Sequence, residues 1–150
     1  MKKKIRAVFF GTHEFAVSIL TALSENPYLD IVLVISQPDR PAGRKQELSA
    51  SPIKRYALSH SIPVSTPEKL STFSLENSGD LDISIVAQYG QLIPKHLLEF
   101  PRFGTINIHT SLLPKYRGAS PIQSALLNGD KTTGVTVMLM DKGLDTGPIL

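Results

Sequence analysis

Ile5-Arg6-Ala7-Val8-Phe9-Phe10-Gly11-Thr12-His13-Glu14-Phe15-Ala16-Val17-Ser18-Ile19-Leu20-Thr21-Ala22-Leu23-Ser24 decides the fold class. Its first six residues are nearly all apolar, the pattern of a strand covered on both faces. Gly11 breaks the run, and from Glu14 to Ser24 the period changes, with Phe15, Ile19, Ala22 and Leu23 forming one helical stripe. A buried strand that feeds at once into an amphipathic helix is the first half of a βαβ unit.

The same rhythm continues outward. Apolar, β-rich runs recur at Ile31 to Ser36, Ile83 to Ala87, Thr105 to His109 and Val135 to Met140. Helices are signalled between them by Ser51-Pro52, by Pro94 to Leu98, and by Ser120-Pro121 leading into Ile122 to Leu127 before Asn128-Gly129. The pattern predicts an α/β domain with a Rossmann-like, mostly parallel sheet and helices on both faces. Two irregular stretches interrupt it, Gln37 to Ala50 and Thr110 to Ala119, and long loops in such domains usually carry function. Pro148-Ile149-Leu150 reads as the first half of a further strand, so the domain is expected to be incomplete at Leu150.

Composition narrows the class. With 150 residues, 41% hydrophobic and 19% charged, the chain suits one globular core that buries roughly two thirds of its unfolded surface. The absence of cysteine excludes disulfides, iron–sulfur clusters, cysteine-bound zinc and thiol nucleophiles, and fits a cytoplasmic protein. The opening apolar run is interrupted by Arg6 and is too short for a signal-peptide core or a membrane span. The net charge of +3 is concentrated at the front, where residues 1–60 hold nine Lys/Arg against five Asp/Glu. Such a surplus suggests nucleic acid only where a local site supports it.

Several chemistries lack their signatures. Gly11-Thr12-His13 does not open a G-x-G-x-x-G, no phosphate-binding G-x-x-x-x-G-K-[ST] occurs, and His13-Glu14 is followed by Val17 where a zinc protease needs histidine. No G-x-S-x-G elbow is present either. Asn107-Ile108-His109 is the most informative triplet. Residues i and i+2 of a strand share a face, about 6 to 7 Å apart, so Asn107 and His109 project together from the strand's C-terminal end, where ligand crevices of open α/β sheets lie. An amide donor beside a titratable imidazole can stabilise an oxyanion and move a proton in acyl transfer. An isolated N-x-H is also compatible with a turn asparagine and a satisfied histidine. Asp145, in Asp141-Lys142-Gly143-Leu144-Asp145-Thr146-Gly147, follows the last strand and could hold the tautomer of His109. Asp141 could do the same, and either could be a turn residue.

Asn107-Ile108-His109 followed by Ser111-Leu112-Leu113-Pro114-Lys115-Tyr116-Arg117-Gly118-Ala119-Ser120-Pro121, with Met140 to Gly147 downstream, resembles the formyltransferase family that uses 10-formyltetrahydrofolate. Within it, Gln37-Pro38-Asp39-Arg40-Pro41-Ala42-Gly43-Arg44, Ser51-Pro52-Ile53-Lys54, Gly11 to Ala16 and Ala87 to Gly90 are similar to the methionyl-tRNA formyltransferases of bacteria. The resemblance covers the whole chain. Its departures are His13, where the family has Pro, and Lys45-Gln46-Glu47, where the family is richer in Gly and Lys.

The resemblance implies a catalytic set at Asn107, His109 and Asp145 and a folate contact at Ser111, Leu112, Leu113 and Pro114. Val86 to Leu92 is a candidate pterin wall, with Tyr89, Gly90 and Leu92, because Gly90 permits close backbone approach. Arg40, Arg44 and Lys45 would meet acceptor-stem phosphates. The implied reaction moves a formyl group from 10-formyltetrahydrofolate, a co-substrate, to the α-amine of initiator methionyl-tRNA in translation initiation. It needs no metal and no covalent enzyme intermediate. Asn107 and protonated His109 would face the oxyanion, while Asp145 orients His109. The family's catalytic domain continues past residue 150 and is followed by a β-barrel domain that helps hold tRNA, in a protein expected to be a cytoplasmic monomer without membrane association. Alternatives are a sister folate-dependent formyltransferase or hydrolase on a small molecule, or an inactive folate-binding fragment.

Overall fold

The computed structural model describes residues 3–42 and 46–150. The opening apolar run forms β1 (Ile5–Gly11), followed by helix α1 (Glu14–Ser24) and β2 (Leu29–Ile35), which lies parallel to β1. On the other side of β1 runs β6 (Ile83–Ala87), again parallel, and beyond it β7 (Thr105–His109), parallel to β6. β5 (Val64–Ser65) extends the sheet beyond β2, and β8 (Thr136–Leu139) closes the far side, giving the order β5-β2-β1-β6-β7-β8.

The central position of β1 explains its composition. Ala7 and Phe9 face one core with Ala16 and Leu20 of α1 and with Ile53 and Ala57 of α2 (Pro52–Ser59). Val8 and Phe10 face the opposite core with Leu70, Leu75, Leu97 and Leu98. Every one of these four β1 side chains is fully buried, and burial of each phenylalanine contributes about 1.5–3 kcal/mol. The helical stripe needs a correction. Ala16 and Leu20 are the buried residues of α1, flanked by Val17, Ile19 and Leu23, whereas Phe15 and Ala22 are exposed. The core face is therefore turned by about one residue from the expected one.

Of the two serine–proline helix starts, Ser51 accepts a hydrogen bond from the Lys54 amide at 3.0 Å and caps α2. Ser120 precedes α4 (Pro121–Leu127) but makes no side-chain cap. α3 is a single turn, Lys95–Leu98.

Two further findings differ from the expected rhythm. Within the stretch expected to be irregular, β3 (Arg40–Ala42) and β4 (Glu47–Ser49) form a two-stranded antiparallel ribbon. Three-residue strands are too short for alternation to show in the sequence. β8 runs antiparallel to β7, with His109 opposite Thr136 and Ile106 opposite Leu139. The chain thus leaves β7 and enters β8 at the same end of the sheet, with α4 held between, and the C-terminal end of β8 lies at the opposite end. Residues 148–150 then fold back against β8 through an antiparallel bridge between Met138 and Ile149. No helix among the described residues is long and apolar enough to cross a membrane.

Candidate active site

Asn107 and His109 share a face of β7, as their i, i+2 spacing requires. Asp145 reaches them by an unexpected route. Since β8 ends at the far side of the sheet, the loop 141–147 must double back across the sheet face. Gly147 permits this return, because a Cβ there would run into the Leu139 carbonyl. Asp141 stays within the loop, where its Oδ1 accepts from the Thr146 hydroxyl and the Gly143 amide, both at 2.8 Å. These two hydrogen bonds, the Thr146 one foremost, hold its carboxyl below the usual range. The choice that spacing left open is thereby made: Asp141 is a turn residue and Asp145 faces the histidine.

The resulting cluster is compact. Asp145 Oδ2 lies 3.7 Å from His109 Nδ1, and both side chains are nearly buried, at 9% and 7% exposure. Asn107 Nδ2 donates to Asp145 Oδ1 at 3.4 Å, a long and weak bond. The Gly118 amide donates to Asp145 Oδ2 at 2.8 Å. On the other side of the imidazole, His109 Nε2 meets the Tyr116 carbonyl at 2.9 Å. A carbonyl only accepts, so Nε2 carries its proton there and Nδ1 is the nitrogen left to Asp145. Sequence reasoning does not find Tyr116 and Gly118, whose contributions are backbone groups that every residue possesses and no side-chain motif marks.

The cluster opens onto a cleft of about 1130 Å³, bounded by the segment after β6, the end of β7, the start of α4 and the loop after β8. Tyr89, Gly90 and Leu92 line it, and His13 joins them from the turn before α1. The close approach that Gly90 allows is taken up within the protein. Gly90 has φ 82°, and a Cβ there would come within 2.6 Å of Gln37 Nε2. That same amide donates to the Tyr89 carbonyl at 2.8 Å, as does the Thr12 hydroxyl. The ends of β1, β2 and β6 are stitched together at this point.

Ser111, Leu112, Leu113 and Pro114 do not line the cleft. Ser111 is fully buried and donates its hydroxyl to the Lys115 carbonyl at 2.6 Å, while the Leu113 amide donates to Thr136 Oγ1 at 3.0 Å. Through these bonds the turn holds the 110–119 loop to β8. Arg40 lies exposed on β3 and borders a separate hollow of about 220 Å³ together with Arg55 of α2. Arg44 and Lys45 lie outside the described residues.

Comparison with known proteins agrees with this geometry. Residues 3–150 match the family described as Formyl transferase. The methionyl-tRNA formyltransferase of Dictyoglomus turgidum is 47% identical over 97% of the chain and 47% of that protein, and the one from Pseudomonas savastanoi is 50% identical over 100% and 48%. The chain thus spans about half the length of the curated relatives it matches. Among solved structures, glycinamide ribonucleotide transformylase 1 from Geobacillus kaustophilus is 28% identical with a TM-score of 0.72, covering 99% of this chain and 80% of that one. With the family match over residues 3–150 and relatives about 50% identical along nearly the whole of it, the chain belongs to the formyl transferase family.

Proposed function

We propose that this chain is the folate- and formyl-handling part of a methionyl-tRNA formyltransferase, which transfers a formyl group from 10-formyltetrahydrofolate to the α-amine of initiator methionyl-tRNA. The observation that carries the reading is the Asn107, His109 and Asp145 cluster on the floor of a large cleft, in a chain 47–51% identical to methionyl-tRNA formyltransferases.

The cleft is roomy enough for a pterin and its side chain, since ligand sites typically run from about 300 to 1,000 Å³. Tyr89, Gly90 and Leu92 form the wall we assign to the folate, and Ser111 to Pro114 support the neighbouring loop. The α-amine of the acceptor attacks as the neutral base, available near neutral pH because such amines titrate at about 7.7–8.0. Asn107 donates to the oxyanion that develops on the formyl oxygen. When protonated, His109 keeps Nε2–H on the Tyr116 carbonyl and turns Nδ1–H toward the Asp145 carboxylate, and its positive charge beside Asn107 stabilises the same centre electrostatically. Asp145 takes up the amine proton through a water as the new carbon–nitrogen bond forms, and the same proton passes to the folate nitrogen as the oxyanion collapses to the carbonyl and the old carbon–nitrogen bond breaks, so the folate leaves as a neutral amine. Arg40, Arg44 and Lys45 belong to tRNA binding, the cellular setting is the cytoplasm, and residues 1–150 belong to a catalytic domain distinct from the β-barrel domain that helps hold tRNA, in a monomeric protein.

The test compares formyl acceptors side by side in the uninterrupted gene product: charged initiator tRNA and glycinamide ribonucleotide. Product on the tRNA is expected, and Asn107→Ala should lower its turnover by roughly 100-fold to 1,000-fold with folate affinity little changed. Formylation of the small amine alone would move the chain to a sister activity, and near-normal turnover of Asn107→Ala would assign the oxyanion to another group.

A further inference from the structure

His109 is gripped from two sides by residues with left-handed backbones. Tyr116, at φ 55°, supplies the carbonyl on Nε2, and Asp145, at φ 51°, supplies the carboxylate near Nδ1. The left-handed region is disfavoured for a residue with a Cβ, so each must be held there by its surroundings. Asp145 is held by the Gly118 amide. Tyr116 is held from outside the cleft. Its hydroxyl donates to Asp130 Oδ2 at 2.8 Å, and the Lys115 ammonium donates to the same oxygen at 3.0 Å.

Asp130 is itself anchored, because its amide donates to the Ala125 carbonyl at 3.0 Å in the last turn of α4. It does not line the cleft. Its carboxyl is kept below the usual carboxylate range by the hydrogen bonds from Lys115 and then Tyr116, so an ionised acceptor stands ready for both. A continuous chain of contacts therefore runs from α4 through Asp130 and Tyr116 to the imidazole.

We propose that Asp130 is a positioning residue for formyl transfer: through the Tyr116 hydroxyl it holds the 110–119 loop so that the Tyr116 carbonyl keeps one proton of His109 on Nε2, and the proton that His109 gains in the reaction enters at Nδ1, toward the Asp145 carboxylate. The proposal rests on the catalytic reading of His109 given above. Without the tether, the Tyr116 backbone relaxes toward a right-handed conformation and its carbonyl leaves the ring, which is then free to rotate and exchange tautomers.

The experiment uses the uninterrupted gene product with 15N-labelled histidine, and the variants Asp130→Ala, Tyr116→Phe and Asp130→Asn. Long-range nitrogen–proton correlation spectra, taken well above the ordinary imidazole range, report the His109 tautomer, and steady-state assays report kcat and KM for 10-formyltetrahydrofolate. The parent should show the Nε2–H form alone. Asp130→Ala and Tyr116→Phe should show a mixture with the Nδ1–H form, and kcat should fall about tenfold or more with KM nearly unchanged. Asp130→Asn retains an oxygen for the Tyr116 hydroxyl and should recover most of the turnover. Parent-like tautomer spectra in both Asp130→Ala and Tyr116→Phe would overturn the proposal, as would a loss of kcat with no tautomer change. Should Asp130→Ala not fold, Tyr116→Phe, which loses one oxygen atom, decides by the same criteria. If the parent transfers no formyl group at all, the functional reading fails, and the spectra still decide whether Asp130 positions the ring.

Discussion

The hydroxyl of Tyr89 lies in the core with no hydrogen-bond partner among the described residues, although the tyrosine is only 2% exposed. Its ring meets Phe10 edge-on at 5.4 Å, so the apolar part of the side chain is well used while its oxygen is not. Burial pushes its pKa up from 10.0 to about 12. Tyr89→Phe should therefore be neutral or stabilising by about 1 kcal/mol, read from denaturant midpoints, because it removes an unpaired buried hydroxyl and keeps the ring. The sign of the alkaline effect follows from linkage. The unfolded chain loses the Tyr89 proton near pH 10 and the folded chain keeps it until about 12, so stability falls as pH rises through that window. The parent should lose stability there more steeply than Tyr89→Phe, and parallel curves would show that the hydroxyl is hydrated or paired. The sequence places Tyr89 just past the apolar run Ile83 to Ala87, among residues expected to form a ligand wall, but its unpaired oxygen is a property of the packing around it.

Helices α2 and α4 start alike in the sequence, each with serine followed by proline, yet only one serine caps. Ser51 has φ −59° and ψ 153°, so its Oγ reaches the Lys54 amide and also lies 2.6 Å from Ser36 Oγ at the end of β2. Ser120 has φ −134° and ψ 50°, which turns its side chain away from the helix amides. Ser51→Ala should cost about 1–2 kcal/mol of unfolding free energy, and Ser120→Ala no more than about 0.5 kcal/mol. Equal losses from the two substitutions would mean that the cap contributes little beyond the fixed φ of the following proline. The local signal thus located both helix starts, but the entering chain direction decided which serine could be used. In the same way the apolar runs located β7 and β8, while their antiparallel pairing depended on α4 staying at one end of the sheet.

Across the whole molecule, the hollow beside Arg40 and the cleft lie on different parts of the frame. The cleft opens between β6, β7 and the loop after β8, whereas Arg40 and Arg55 border a hollow beside β3 and the start of α2. Under the proposed function, a macromolecular acceptor touches both and a small amine touches only the cleft. Neutralising Arg40, Arg44 and Lys45 together should weaken binding of charged initiator tRNA to the uninterrupted protein. It should also flatten the dependence on salt, by roughly 0.7 to 0.9 in logarithmic slope for each phosphate no longer neutralised. Folate affinity should be unaffected. An unchanged slope with unchanged affinity would remove this ribbon from the tRNA surface.

Sequence periodicity by itself determined the alternating α/β order, a first strand covered on both faces and the placing of Asn107 and His109 on one face, because these depend on interactions between residues close in the chain. The family motifs added Asp145 to the set, but local spacing could not separate it from Asp141. Tertiary structure alone decided that choice, by sending the loop 141–147 back across the sheet so that Asp141 closes its own turn and Asp145 meets the imidazole. It also withdrew Ser111 from the cleft and brought the Tyr116 carbonyl to Nε2. The reason is physical: side-chain periodicity reports which face a residue occupies. The partner of a backbone carbonyl, or of a carboxylate on a long loop, is fixed only when distant segments pack and every buried polar group competes for a donor or acceptor.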